Sequence, residues 1–290
     1  MTIQKILCPT DFSDGARRAL EVATRIAILH RAELVIVHAW ELPVYAGGYV
    51  IAADVMQSMA DDGKRLLDEA TALAGDLGAP KVSSRYVTGP AWRAVVDIVT
   101  EDTAFDLVVM GTHGRTGLRR VLLGSIAEKV VRLAPCSVLA VHPDDQVDAF
   151  RRIVCPTDFS DPAEHAAEIA AQLVDARGAT LELVHVVDIP RAAERGPDTL
   201  AMARELEERS DAELDRRARR IAAPIQVTCR TKLGHAGEEL LALLEAEPYD
   251  LVVVGSHGRT GIKLALLGSV AEKLVRHAHC PVLVARIRAK

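Results

Sequence analysis

Apolar positions along this chain follow two rhythms. Short, continuously apolar runs read "IQKILC", "ELVIVHA", "KVSSRYV", "FDLVVMG" and "SVLAVH" in the first half. Between them lie longer stretches with helical spacing: "SDGARRALEVATRIAILH", "AADVMQSMADDGKRLLDEATALAGDLG", "PAWRAVVDIVTED" and "GSIAEKVVRLA". The short runs are bounded by turn residues, as expected for parallel strands buried on both faces. Strand and helix in alternation predict an α/β fold with a doubly wound, open parallel sheet. A ligand of such a sheet sits outside the carboxyl ends of the strands, near the point where strand order reverses.

The second half repeats the first. "KILCPTDFSD" at Lys5 returns as "RIVCPTDFSD" at Arg152, and "ELVIVHAWELP" at Glu33 as "TLELVHVVDIP" at Thr180. "FDLVVMG" at Phe105 returns as "YDLVVVG" at Tyr249, and "CSVLAVHP" at Cys136 as "CPVLVARI" at Cys280. A repeat of this length is a duplicated domain, because solenoid units run about 20 to 50 residues. The polar stretch "HPDDQVDAFRR" places the boundary so that the domains span 1–146 and 147–290.

The longest match is "GTHGRTGLRRVLLGSIAEKVVR" from Gly111 against "GSHGRTGIKLALLGSVAEKLVR" from Gly255. Gly111, Gly114 and Gly124 recur as Gly255, Gly258 and Gly268, with Ser125 and Ser269 following the third glycine. Glycine lets the backbone turn with positive φ and approach a ligand closely. Gly124 and Ser125 stand where helical spacing begins, and Ser is a good N-cap. A helix start offers free N–H donors and a positive dipole end, which suit phosphate. Arg115 and Arg119, with Arg259 and Lys263 in the second copy, add charge within the loop. Opposite lies the end of the first strand, where Asp11 and Asp158 would accept hydrogen bonds from a ribose hydroxyl or base amine. Such a carboxylate sits poorly beside a triphosphate, so it is expected at the nucleoside end. Ala39 and Val186, at the second strand's end, would wall a base.

Composition narrows the partners. Lys and Arg number 35 against 40 Asp and Glu, a net charge of -5, so the basic excess that nucleic-acid binding needs is missing. No apolar run reaches the roughly 18 residues of a membrane span, and the first residues read as a strand rather than a signal segment. Five cysteines, an odd number without a C-x-x-C pair, fit reduced thiols in a cytoplasm. Cys8 and Cys155 read as packing residues, His38 and His185 as structural. The "HAHC" at His277 lacks further ligands at metal-site spacing. The segment from 40 to 56, "WELPVYAGGYVIAADVM", is apolar and long for a connection, and reads either as a flap or as an association surface.

The paired glycine loops, "PTDFS" strand ends and "CPVLV"-like last strand resemble the universal stress protein family, of its ATP-binding type. That family carries a G-2x-G-9x-G-(S/T) loop, which both copies match, and the resemblance covers nearly the whole chain. It implies two five-stranded parallel α/β sandwiches, each with four helices, of the adenine nucleotide alpha hydrolase-like kind. It also implies a stress-response regulator, with domains paired through their last strands and a homodimer left open. By position, the ATP contacts it implies are Pro9, Thr10, Asp11, Ala39, Met110, Gly111, His113, Gly114, Arg115, Gly124, Ser125 and Ile126. In the second copy they are Pro156, Thr157, Asp158, Val186, Val254, Gly255, His257, Gly258, Arg259, Gly268, Ser269 and Val270. For His113 and His257 the backbone rather than the ring is expected to matter. Magnesium or manganese would accompany the phosphates.

Three functions compete. A nucleotide-binding regulator would present its bound state to a protein partner. An ATPase or phosphotransfer enzyme is disfavoured. No G-x-x-x-x-G-K-(S/T) loop and no kinase-like "HRD" or "DFG" set is present, so slow hydrolysis is the most expected. A structural dimerisation module would have no reason to keep the glycines in both copies.

Overall fold

The structure, a computed structural model, describes residues 3–41, 53–113, 123–145, 149–174, 178–188, 197–221, 225–258 and 267–288. The chain divides into two compact units, with the main division between Asp144 and Asp145. The N-terminal unit runs β1 Lys5–Pro9, α1 Asp14–His30, β2 Glu33–Trp40, α2 Ala53–Asp76 and β3 Lys81–Thr88. It continues α3 Ala91–Glu101, β4 Leu107–Gly111, α4 Ser125–Leu133 and β5 Ser137–Val141. The strands are parallel, in the order β3-β2-β1-β4-β5.

The C-terminal unit repeats this plan. Its elements are β6 Arg152–Pro156, α5 Asp161–Leu173, β7 Thr180–Val187, α6 Pro197–Ala218 and β8 Gln226–Leu233. They continue with α7 Ala236–Ala246, β9 Leu251–Gly255, α8 Ser269–His277 and β10 Val282–Ala285. The order is β8-β7-β6-β9-β10, again parallel. Each unit is therefore a doubly wound sheet whose order reverses between its first and fourth strands.

Central strands are buried as their apolar runs require: Ile6, Leu7 and Cys8 of β1, and Ile153 and Cys155 of β6, expose no surface. The third strands depart from the expectation of burial on both faces. β3 and β8 carry only exposed and half-buried residues along their length. They are the outer strands of their sheets, so "KVSSRYVT" and "QVTCRTKL" carry polar residues where inner strands carry valine and leucine. Among the described residues, no helix is long and apolar enough to cross a membrane.

Candidate functional site

The switch point brings two chain segments together. The first is the turn after the first strand. Thr10 donates its N–H to the Val37 carbonyl (2.8 Å), which extends the ladder one residue past β1. Phe12 then enters the left-handed region at φ 64°, unusual for a bulky residue. Side-chain bonds hold this turn. Phe12 N–H donates to Thr10 Oγ1 (3.0 Å), and Asp11 Oδ1 accepts from Ser13 N–H (3.1 Å) and Oγ (2.6 Å). Ser13 Oγ also caps α1 by accepting from Ala16 N–H (3.2 Å). The second copy repeats the turn: Phe159 has φ 66°, its N–H donates to Thr157 Oγ1 (3.1 Å), and Asp158 Oδ1 accepts twice from Ser160.

Two histidines support these turns from below. The Nδ1 of His38 lies 2.8 Å from the Thr10 carbonyl, and that of His185 lies 2.7 Å from the Thr157 carbonyl. A carbonyl only accepts, so each ring carries its proton on Nδ1. Each ring packs on the adjacent phenylalanine, at 4.4 Å for Phe12 and 4.2 Å for Phe159.

The second segment is the glycine loop. Its three glycines have different reasons to be glycine. A Cβ on Gly111 would lie 2.9 Å from the Gly15 carbonyl carbon; one on Gly255 would lie 2.9 Å from Pro162 carbonyl atoms. Neither has positive φ. The first glycine therefore lets the start of α1 or α5 cross the end of the fourth strand, a packing role rather than the turn expected from sequence. The second glycine, Gly258, faces Asp158: a Cβ there would lie 2.6 Å from Asp158 Oδ2. The carboxylate and the loop are thus neighbours, whereas the sequence reading set Asp158 at the far end of the site. Adjacent strands β6 and β9 bring them together. The third glycine closes the loop, as Gly124 N–H donates to the Thr112 carbonyl and Gly268 N–H to the Ser256 carbonyl, both at 2.8 Å.

The helix starts also differ from expectation. Gly124 and Gly268, not the serines, are the N-caps of α4 and α8, and no side chain caps either helix. Ser125 and Ser269 are already the first helical residues. Helix geometry leaves the first-turn N–H groups without intrahelical partners, and among the described residues no side-chain cap takes them. Those first-turn residues line a cavity.

The N-terminal cavity, about 230 Å³, is lined by Pro9, Thr10, Asp11, Ala39, Met110, Gly111, His113, Gly124, Ser125 and Ile126. These are the described positions among the first-copy contacts; Gly114 and Arg115 lie outside the described residues. The C-terminal cavity, about 1140 Å³, is lined by Pro156, Thr157, Asp158, Val186, Val254, Gly255, His257, Gly258, Gly268, Ser269 and Val270, among others. Arg259 lies outside the described residues, as do Arg119, Lys263 and most of the 40–56 segment. Sequence reasoning missed the opposite wall, Ala91 and Val95 on α3 and Ala236 and Leu240 on α7. Their spacing of four residues was a legible signal of one helical face.

The remaining candidate chemistry recedes. Nδ1 of His113 is held by the Thr112 hydroxyl (2.9 Å), and Nδ1 of His257 by that of Ser256 (3.0 Å). Burial pushes the thiols of Cys8 and Cys155 up to about 12, so neither is a thiolate nucleophile at neutral pH.

Comparison with known proteins agrees with this architecture. The model of the universal stress protein family matches residues 2–142 and again 149–286. A universal stress protein of Mycolicibacterium smegmatis is 31% identical over 297 residues, covering 98% of this chain and 97% of that one. A universal stress protein of Mycobacterium tuberculosis is 33% identical over 244 residues, 78% of this chain and 77% of its own. Among solved structures, a universal stress protein from Archaeoglobus fulgidus superposes with a TM-score of 0.72 at 23% identity, covering 99% of both chains.

Proposed function

The chain belongs to the universal stress protein family, and we propose that each of its domains binds one adenine nucleotide, ATP with magnesium or manganese, as a regulatory ligand. One observation carries this reading. In both domains a cavity at the switch point is bounded on one side by an uncapped helix start and glycine loop, on the other by a Pro-Thr-Asp strand end.

The residues fit the ligand's chemistry. Free N–H groups at Ser125–Ala127 and Ser269–Ala271 suit phosphate oxygens, with the Ser125 and Ser269 hydroxyls beside them. The glycine at Gly258 lets the Asp158 carboxylate stand against the loop backbone, where a side chain would collide with it. Asp11 and Asp158 are hydrogen-bond acceptors suited to ribose hydroxyls. Val37, Ala39 and Val95 in one domain, and Val184, Val186 and Leu240 in the other, give an apolar wall for a base. The metal would be held by phosphate oxygens and water. A protein partner would read the nucleotide-bound state.

The test is binding in the presence of magnesium by protein stripped of carried-over ligand. Two ATP per chain that fall to one in Ser269→Trp, with the fold retained, support the reading. Equal affinity in that variant contradicts it.

A further inference from the structure

The two switch-point turns are alike, but they are braced differently. Phe159, like Phe12, sits in the left-handed region, at φ 66°. A bulky residue stays there only where its surroundings hold it. In both domains the phenylalanine ring packs on a histidine, at 4.4 Å for His38 and 4.2 Å for His185. Each histidine in turn holds the threonine carbonyl that begins the turn. In the N-terminal domain the next ring is Tyr86 of β3, 5.7 Å from that of His38.

In the C-terminal domain a brace comes from α6. Arg217 donates from Nη2 to the Phe159 carbonyl (3.0 Å), and its guanidinium carbon lies 5.3 Å from the centroid of the Phe159 ring. One planar cation thus grips both the backbone and the ring of the strained residue. Two carboxylates hold the guanidinium in place. Glu213 on its own helix accepts from Nε (2.6 Å), and Glu164 in the first turn of α5 lies 3.4 Å from Nη1. The Arg217 side chain is only 18% exposed. At the spacing that relates His38 to His185 and buried Leu67 to buried Leu214, Ala70 stands where Arg217 does. Its methyl group has no donor to offer Phe12.

Arg217 does not line the cavity. Its influence on a ligand passes through the turn. Phe159 N–H donates to Thr157 Oγ1 (3.1 Å), and Asp158 Oδ1 is bonded to Ser160, so a rotation at Phe159 carries Asp158 with it. We infer that Arg217 is a positioning residue for the C-terminal nucleotide site: through Phe159 it fixes the turn that sets Asp158 against Gly258. The inference rests on the nucleotide reading of that site.

The test is the affinity for ATP with magnesium of the full chain carrying Ser125→Trp, so that the C-terminal site alone reports. Adding Arg217→Ala should weaken ATP by about tenfold, the scale of one hydrogen bond from a charged group. Arg217→Lys, which keeps a cationic donor, should recover part of that loss. Arg220→Ala is the control for helix docking. It removes the other ion pair to Glu164 (2.9 Å) without touching the turn, and should leave ATP affinity within about twofold. Hydrogen exchange of the ligand-free chain gives a second measurement, which stands if Arg217→Ala fails to fold. Amides 158–160 should exchange faster in Arg217→Gln, and amides 11–13 should not. Unaltered ATP affinity in Arg217→Ala, an equal loss in Arg220→Ala, or unaltered exchange in Arg217→Gln overturns the inference. The unmutated chain separates the two readings: no ATP bound there contradicts the nucleotide proposal, whereas two ATP there with no effect of the Arg217 variants contradicts only this inference.

Discussion

Asp158 stands against Gly258, with its Oδ2 2.6 Å from the point a Cβ would occupy. The contact joins the strand end of β6 to the glycine loop after β9. Its other oxygen is already held by Ser160, so the carboxylate cannot retreat without breaking the turn. Gly258→Val should displace Asp158 and remove nucleotide binding from the C-terminal domain while the fold persists. Calorimetry should then count one ATP per chain instead of two, with an unchanged circular dichroism spectrum. Two sites of unaltered affinity would show that the contact is irrelevant to binding.

Gly111 and Gly255 should behave differently. Their missing side chains face the backbone of α1 and α5, which cannot rotate away as a side chain can. Gly255→Ala should cost about 1–3 kcal/mol of stability, typical of overpacking. Urea denaturation measures it, and a loss below about 0.5 kcal/mol would mean that the helix shifts freely.

Ser13 serves both the fold and the site: it caps α1 and anchors Asp11. Ser13→Ala should lower stability by about 1 kcal/mol, the usual worth of an N-cap. ATP affinity at the N-terminal site should fall as well, because Asp11 loses its orientation. A stability loss with unchanged affinity would separate the two roles.

The C-terminal domain also carries a charge network away from the cavity. Glu182, 8% exposed on β7, accepts from the Tyr249 hydroxyl (2.5 Å) and pairs with Arg230 (2.6 Å). Arg230 also bonds Glu247 (2.6 Å), and Arg152 does so at 2.8 Å. The hydrogen bond from Arg230, then that from Arg152, holds the Glu247 carboxyl below its ordinary value of 4.5. A depressed folded-state value means that this stabilisation is full above 4.5 and is lost as pH falls through the folded value. Glu247→Gln should therefore flatten the fall of melting temperature on acidification below about pH 5. An unchanged slope would assign acid sensitivity to other groups.

Much of this was legible in the sequence, because burial on both faces writes inner strands as unbroken apolar runs and duplication writes each element twice. The strand-end turn and glycine loop were legible as motifs. The reasons behind individual residues were not. Gly111 reads as a turn until its neighbour Gly15, more than ninety residues earlier, is known to cross it. Ser125 reads as a cap until the Thr112 carbonyl is found bonded to Gly124. Contacts between segments distant in sequence leave no local periodic mark.

The central claim is that both switch-point cavities bind adenine nucleotide. Titration calorimetry of ATP with magnesium, on stripped full-length protein and with GTP as control, tests it most directly. The account expects two ATP per chain and much weaker GTP. No heat of binding, with the fold intact, would contradict it and leave the glycine loops as turns that pack α1 and α5 against their sheets.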